Sequence, residues 1–239
     1  MSAAVFVETL RRHVTHAVFI ALVVIVAAIA ALIGAFGGPP GFWIGMVTLS
    51  GLVIGCQLIG PEFSSGTLQL VLAKPVNRSW YVVSRFAGVV AAIWIFFAVT
   101  AVADIGARSL HYGSFDPTMF ALPFNEAFSF LIVCALFAFF GSFTRSYVNV
   151  ALYFLLQVAV YAAGGIVRRL EMSDTAISPF VREHPAIRNF LIATTTNLFP
   201  SAAETFDWRW MLMVASNAAV VLLLACLVFR NREVPYGAD

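Results

Sequence analysis

"AVFIALVVIVAAIAALIGAF", residues 17–36, runs for twenty positions without a charged or amide side chain. As a helix rising 1.5 Å per residue it would cover about 30 Å, the thickness of a bilayer's hydrocarbon core. Arg11 and Arg12 precede it, in the manner of a secretory signal. Its apolar core is too long for a signal, so it reads as an uncleaved span.

Outward from this stretch, five further apolar runs are long enough to cross a membrane: 42–59, 86–103, 122–143, 148–167 and 211–229. Hydrophobic residues make up 61% of the 239-residue chain and charged residues only 11%, with a mean hydropathy of +0.92. A soluble domain needs far more charge to cover its surface. The expected fold is therefore an all-α integral membrane protein, a single domain over residues 1–239 with six transmembrane helices. Residues 168–210 form a long loop in which Pro179, Pro185 and Pro200 punctuate short helices. A net charge of +2 is too small to suggest nucleic acid as a partner; membrane lipids are the expected surroundings. Cys56, Cys134 and Cys226 all fall within apolar runs and read as small buried hydrophobes rather than disulfide partners or metal ligands.

Lysine and arginine set the expected orientation. With the amino terminus inside, eight positive residues are cytoplasmic (Arg11, Arg12, Lys74, Arg78, Arg85, Arg145, Arg230, Arg232) and six are external. Five of those six belong to the long loop and its flanks, where Glu171, Asp174, Glu183, Glu204 and Asp207 match them in number. Long loops bear weakly on orientation, so both termini are expected in the cytoplasm.

"PEFSSGTLQLVLAKPVNRSW", residues 61–80, then lies in the cytoplasm between spans two and three, and Lys74 in it is the chain's one lysine. Ser64 or Ser65 can cap a short helix with Leu68, Val71 and Leu72 on one face, and Pro75 disfavours helical geometry at Lys74. Asn77 can cap a second helix that continues into span three. On it Arg78 and Arg85 share a face with Tyr81, suited to lipid phosphates or an acidic partner. An amphipathic pair of this kind also suits a helix that lies on the membrane surface.

The particular residues resemble the coupling segment of ABC-2 type ABC transporter permeases: Glu62, Gly66-Thr67-Leu68, Leu70-Val71-Leu72, Pro75-Val76 and Asn77-Arg78. "VFRNREV" at the end of the last span, with Phe229, Arg230, Arg232 and Glu233, resembles the same family. Relatives often carry a lysine near the start of span three where this chain has Arg85. The resemblance implies the membrane subunit of an ATP-driven transporter, commonly an exporter, in the cell (inner) membrane. It implies an ATPase-coupling site at Glu62, Gly66, Thr67, Leu68, Val71, Leu72, Lys74, Pro75 and Arg78. It also implies two ABC ATPase subunits per complex, a second permease copy in a homodimer, and short external helices between spans five and six. No cofactor is expected on this chain; ATP and Mg belong on the partner ATPase. The residues agree with that division of labour. A phosphate-cradling loop needs several glycines and a lysine followed by serine or threonine, whereas Lys74 is followed by Pro75 and has only Gly66 nearby.

A substrate path should appear as polar groups within spans. Asn149, Tyr153, Gln157 and Tyr161 recur every four residues in span five, a stripe that suits either a substrate pathway or hydrogen bonding between helices. Gly51 and Gly55 form a close-packing face that fits a dimer. A secondary transporter would want an inverted repeat or an acid at the centre of a span. A lipid-modifying enzyme would draw on Asp104, His111, Asp116 and Glu126, which have no motif spacing.

Overall fold

The computed structural model describes residues 3–59, 77–113, 117–144, 146–172, 184, 186, 189 and 205–231. Among them the chain forms α1 (Ala3–Val14), α2 (Ala17–Ala35), α3 (Gly41–Gly55), α4 (Arg78–Tyr112), a 3-10 turn (Pro117–Phe120), α5 (Ala121–Gly141), α6 (Ser146–Met172) and α7 (Trp208–Asn231). No strand occurs among the described residues.

Local chemistry sets several boundaries. His16 separates α1 from α2, its ring nitrogen accepting from the Val18 amide at 3.3 Å. Asn77 caps α4 by accepting from the Ser79 amide at 3.1 Å, so the helix starts at Arg78 and continues unbroken into the span. It ends at Gly113, whose φ of 68° is the left-handed conformation glycine adopts without strain. Gly37, with φ 67°, turns the chain between α2 and α3.

Among the described residues, four helices are long and apolar enough to cross a membrane: α2, α4, α5 with part of its preceding turn, and α7. The other two apolar helical stretches are shorter, Gly41–Gly55 and Val148–Ala163. The run expected to span 42–59 is helical only to Gly55. Its last residues close in tight turns, Gln57 N–H to Ile54 O at 3.3 Å and Leu58 N–H to Gly55 O at 3.0 Å. Fifteen helical residues rise about 22 Å, short of the hydrocarbon thickness. By contrast the expected span 86–103 is only the middle of α4, whose 35 residues rise about 52 Å.

Successive helices alternate in direction, as their cross-links record. Arg108 on α4 donates to the Gly38 carbonyl at 2.5 Å in the α2–α3 turn. Asn125 near the start of α5 donates to the Thr205 carbonyl at 2.9 Å, just before α7. At the opposite end, Tyr81 of α4 stacks on Phe229 of α7, 6.3 Å between ring centres. The α2–α3 turn thus shares one end of the bundle with the last turn of α4, and α1 shares the other end with the first.

Helix α4 is the hub, packing against α1, α2, α3, α5 and α7, while α6 leans chiefly on α5. Trp43, Phe96, Phe97, Phe130 and Phe137 are the largest fully buried side chains among the described residues. In lipid the transfer of apolar groups from water no longer drives helices together, so close approach and dispersion must hold the bundle. Gly51 and Gly55 provide such an approach: a methyl group built there would lie 2.7 Å from the Phe130 ring and 2.8 Å from that of Phe137. That face is therefore filled by α5 of the same chain, and a dimer cannot draw on it.

Candidate functional site

The segment of greatest interest, 61–80, is fixed at both of its described borders. On the α3 side, Leu58 and Ile59 are 1% and 0% exposed. On the α4 side, Asn77 caps the helix and Arg78, half-buried, is its first residue. Tyr81 and Val82 follow within the core, and they join Leu58, Ile59 and Phe229 in one continuous apolar cluster. Glu62, Gly66, Thr67, Leu68, Val71, Leu72, Lys74 and Pro75 lie outside the described residues.

Arg85 departs from expectation. Rather than meeting lipid phosphates, it is buried at 5% exposure, and its guanidinium donates to the Thr9 hydroxyl on α1 at 3.3 Å. The cause is the return of α1 onto α4. Gly88 removes the bulk that would otherwise block the crossing, a methyl group there lying 2.8 Å from the Thr9 β-carbon. His13, one turn along α1, has its Nδ1 2.8 Å from the Thr9 carbonyl. Burial pulls the His13 pKa below its usual 6.5, helped by the charges of Arg85, Arg12 and His16 and opposed by the bond to Thr9. Tyr81 likewise turns inward onto Phe229, so the expected Arg78–Tyr81–Arg85 face packs within the bundle from Tyr81 onward.

The polar stripe on α6 divides. Asn149 is fully buried; its amide oxygen accepts from the Thr144 hydroxyl and its amide nitrogen is 3.5 Å from the Cys56 carbonyl. It ties the start of α6 to the end of α3. Tyr153, 6% exposed, packs on Phe137 with ring centres 5.4 Å apart. Gln157 is half-buried and Tyr161 is 59% exposed. The reason is geometric: each four-residue step overshoots a full turn by about 40°, so three steps carry the stripe from the α5 side to the outer surface.

A family model for ABC-2 family transporter proteins matches residues 2–234, nearly the whole chain. The chain belongs to the ABC-2 transporter family. It is accordingly the multi-pass membrane component of an ABC transporter, without an ATPase site of its own, and the family works with ABC ATPase subunits. No curated protein matches the sequence.

At the other end of this ABC-2 protein, one polar cluster went unnoticed in the sequence as a unit. Asp104 on α4 is 3% exposed. One carboxylate oxygen accepts from Arg108 Nε at 2.9 Å and the other from the Trp43 indole on α3 at 3.1 Å. Gly34 of α2 lies so close that a methyl group there would fall 2.4 Å from the Asp104 carbonyl oxygen. The i, i+4 spacing of Asp104 and Arg108 was the legible half of this signal; the Trp43 contact, 61 residues away, was not. With one oxygen bonded to Arg108 on its own helix and the other to Trp43 on α3, Asp104 acts as a brace between α3 and α4.

Proposed function

We propose that this ABC-2 protein is the permease subunit of an ATP-driven exporter in the cell membrane. In this reading six membrane passes place both termini in the cytoplasm, and residues 61–80 are the coupling segment. Leu68, Val71 and Leu72 insert into a groove on a separate ATPase, with Glu62, Gly66, Thr67, Lys74, Pro75 and Arg78 shaping that contact. Two such ATPases serve a homodimer of permeases.

The observation that carries the reading is the family match combined with the way the segment's borders are rooted. Buried Leu58 and Ile59 on one side, and Asn77 capping a 35-residue helix on the other, would pass any displacement of the segment to α3 and α4. A surface-lying anchor requires no such rooting. The short α3, running directly from the segment into the core, would feel the displacement first.

The decisive experiment is Leu68→Asp combined with Leu72→Asp, followed by pull-down of a coexpressed cognate ATPase from detergent. Two carboxylates at an apolar contact must be desolvated or the contact abandoned, so loss of the ATPase from a still monodisperse permease is expected. Retention of a full complement of ATPase sinks the coupling assignment.

For the substrate path we favour the outward part of the α6 stripe, Gln157 and Tyr161, since the stripe's rotation leaves these two less buried than Asn149 and Tyr153. Gln157→Leu should slow transport several-fold and leave ATPase binding intact. Unchanged transport kinetics would return the whole stripe to helix packing.

A further inference from the structure

A groove of about 510 Å³ runs along α4 where it faces α5, a volume typical of sites that take one small ligand. Ala91, Trp94, Ala98 and Val102 contribute to it from α4, recurring at three- and four-residue spacing so that they form one stripe. The alanines leave a trough. Phe124 on α5 and Phe206 before α7, with ring centres 5.6 Å apart, flank one end. Trp94, Phe128 and Phe124 stack in a row, 6.2 and 6.1 Å between successive ring centres.

The chemistry of the lining selects the occupant. Alanine, valine, isoleucine, proline and aromatic side chains form it, and the Trp94 indole N–H is taken up by the Ala127 carbonyl at 2.8 Å. A polar ligand entering here would lose hydrogen bonds to water without replacement, at a cost of kilocalories per group. A hydrocarbon chain loses none. Length points the same way: Ala91 to Val102 spans eleven residues of helix, about 16 Å, against about 15 Å for the hydrocarbon of one leaflet. The groove is also open sideways, since Trp94, Phe124 and Val102 are 38%, 43% and 61% exposed. α4 and α5 are both long and apolar enough to cross a membrane, so an opening along them lies at the depth of the hydrocarbon.

We propose that this groove binds one acyl chain of a bilayer phospholipid, drawn from the leaflet at the C-terminal end of α4. The chain lies along the alanine trough with its methyl end near Ala91 and its carbonyl end near Val102 and Phe124. Bound there, it fills the space between α4 and α5. The proposal holds whichever face of the membrane that end occupies.

The test uses the full-length protein in phosphatidylcholine nanodiscs doped with photoreactive phospholipid, the diazirine placed either at the acyl terminus or near the ester. Labelled peptides are mapped by mass spectrometry. The terminal probe should label Ala91–Ile95 and the ester-proximal probe the Val102 and Phe124 region, each several-fold above the exposed α2 face around Val24. Ala98→Phe, which fills the trough, should abolish groove labelling and leave α2 labelling unchanged. Val102→Trp, at the exposed mouth, should reduce it and serves if the first variant fails to fold. Groove labelling no stronger than that of α2, loss of the depth order, or insensitivity to both substitutions overturns the proposal. So does efficient cross-linking of Ala98→Cys to a second copy, which would mean that a protein helix occupies the groove.

Discussion

The two ends of the helical bundle are held by different chemistry. At the end carrying the α2–α3 turn, Asp104, Arg108, Trp43 and the Gly38 carbonyl form a charged brace across three elements. At the end carrying the borders of residues 61–80, links among the described residues include the Arg85 guanidinium to the Thr9 hydroxyl, Asn149 to the Cys56 carbonyl, and Tyr81 stacked on Phe229. Both ends thus use a largely buried arginine, but only at the Asp104 end do the described residues match it with a carboxylate, and removing one partner of such a pair is costly. The comparison teaches that the Asp104 end depends on one buried carboxylate whose two oxygens serve two partners, whereas at the other end the described links are distributed over three separate pairs of helices.

The largest effect should follow from breaking the brace. Asp104→Leu leaves the Arg108 guanidinium without its carboxylate at 14% side-chain exposure, and removing one partner of such a pair costs about 3–5 kcal/mol. Thermal unfolding in detergent should show a pronounced fall in Tm, and Asp104→Asn, which keeps an acceptor for Arg108, a smaller one. Equal and negligible shifts for both would show that the Asp104–Arg108 pair does not brace this end.

An intermediate effect is expected at the α1–α4 crossing. Gly88→Val forces a side chain against the Thr9 β-carbon and the Phe6 carbonyl, 2.8 and 3.2 Å from the position of its first carbon. Overpacking of this sort costs about 1–3 kcal/mol. Helix α1 should lift from α4, read as faster tryptic cleavage at Arg11 and Arg12 while the rest of the chain stays protected. Unaltered cleavage would mean that α1 is held by something other than this contact.

The smallest effect concerns pH. Because His13 titrates below its usual 6.5 when α1 is docked, the docked state favours the neutral ring. Its contribution is complete above pH 6.5 and is lost as pH falls from there through the lowered folded value. Protonation would add charge beside Arg85, Arg12 and His16. Tryptic sensitivity at Arg11 should therefore rise modestly as pH drops below 6.5, and His13→Gln should flatten the dependence.

Several of these features were visible in the chain before any contact was known. The Asn77 cap and the continuation of its helix into the span were legible because capping is local, requiring only the side chain and an amide two residues on. The extent of α3 was not: the apolar run 42–59 says nothing about where the α-ladder gives way to tight turns. The surroundings of Arg85 were not legible for a related reason. Its spacing from Arg78 and Tyr81 defines a face, but only α1 folding back across Gly88 turns that face inward. For the α6 stripe, periodicity grouped four residues that packing divides, since a 40° drift per step is small over one turn and decisive over three.

By itself, then, the sequence determined that the chain lives in lipid, roughly where its apolar helices lie, and which family it belongs to. These follow from composition, run length and short local patterns, which are properties of contiguous residues. The tertiary structure alone decided which helix is the hub, that Gly51 and Gly55 receive the rings of Phe130 and Phe137, that Asp104 braces α3 and α4, and that an apolar trough is left open along α4. Those depend on contacts between residues distant in the chain, set by side-chain volume and helix rotation, which no local pattern encodes.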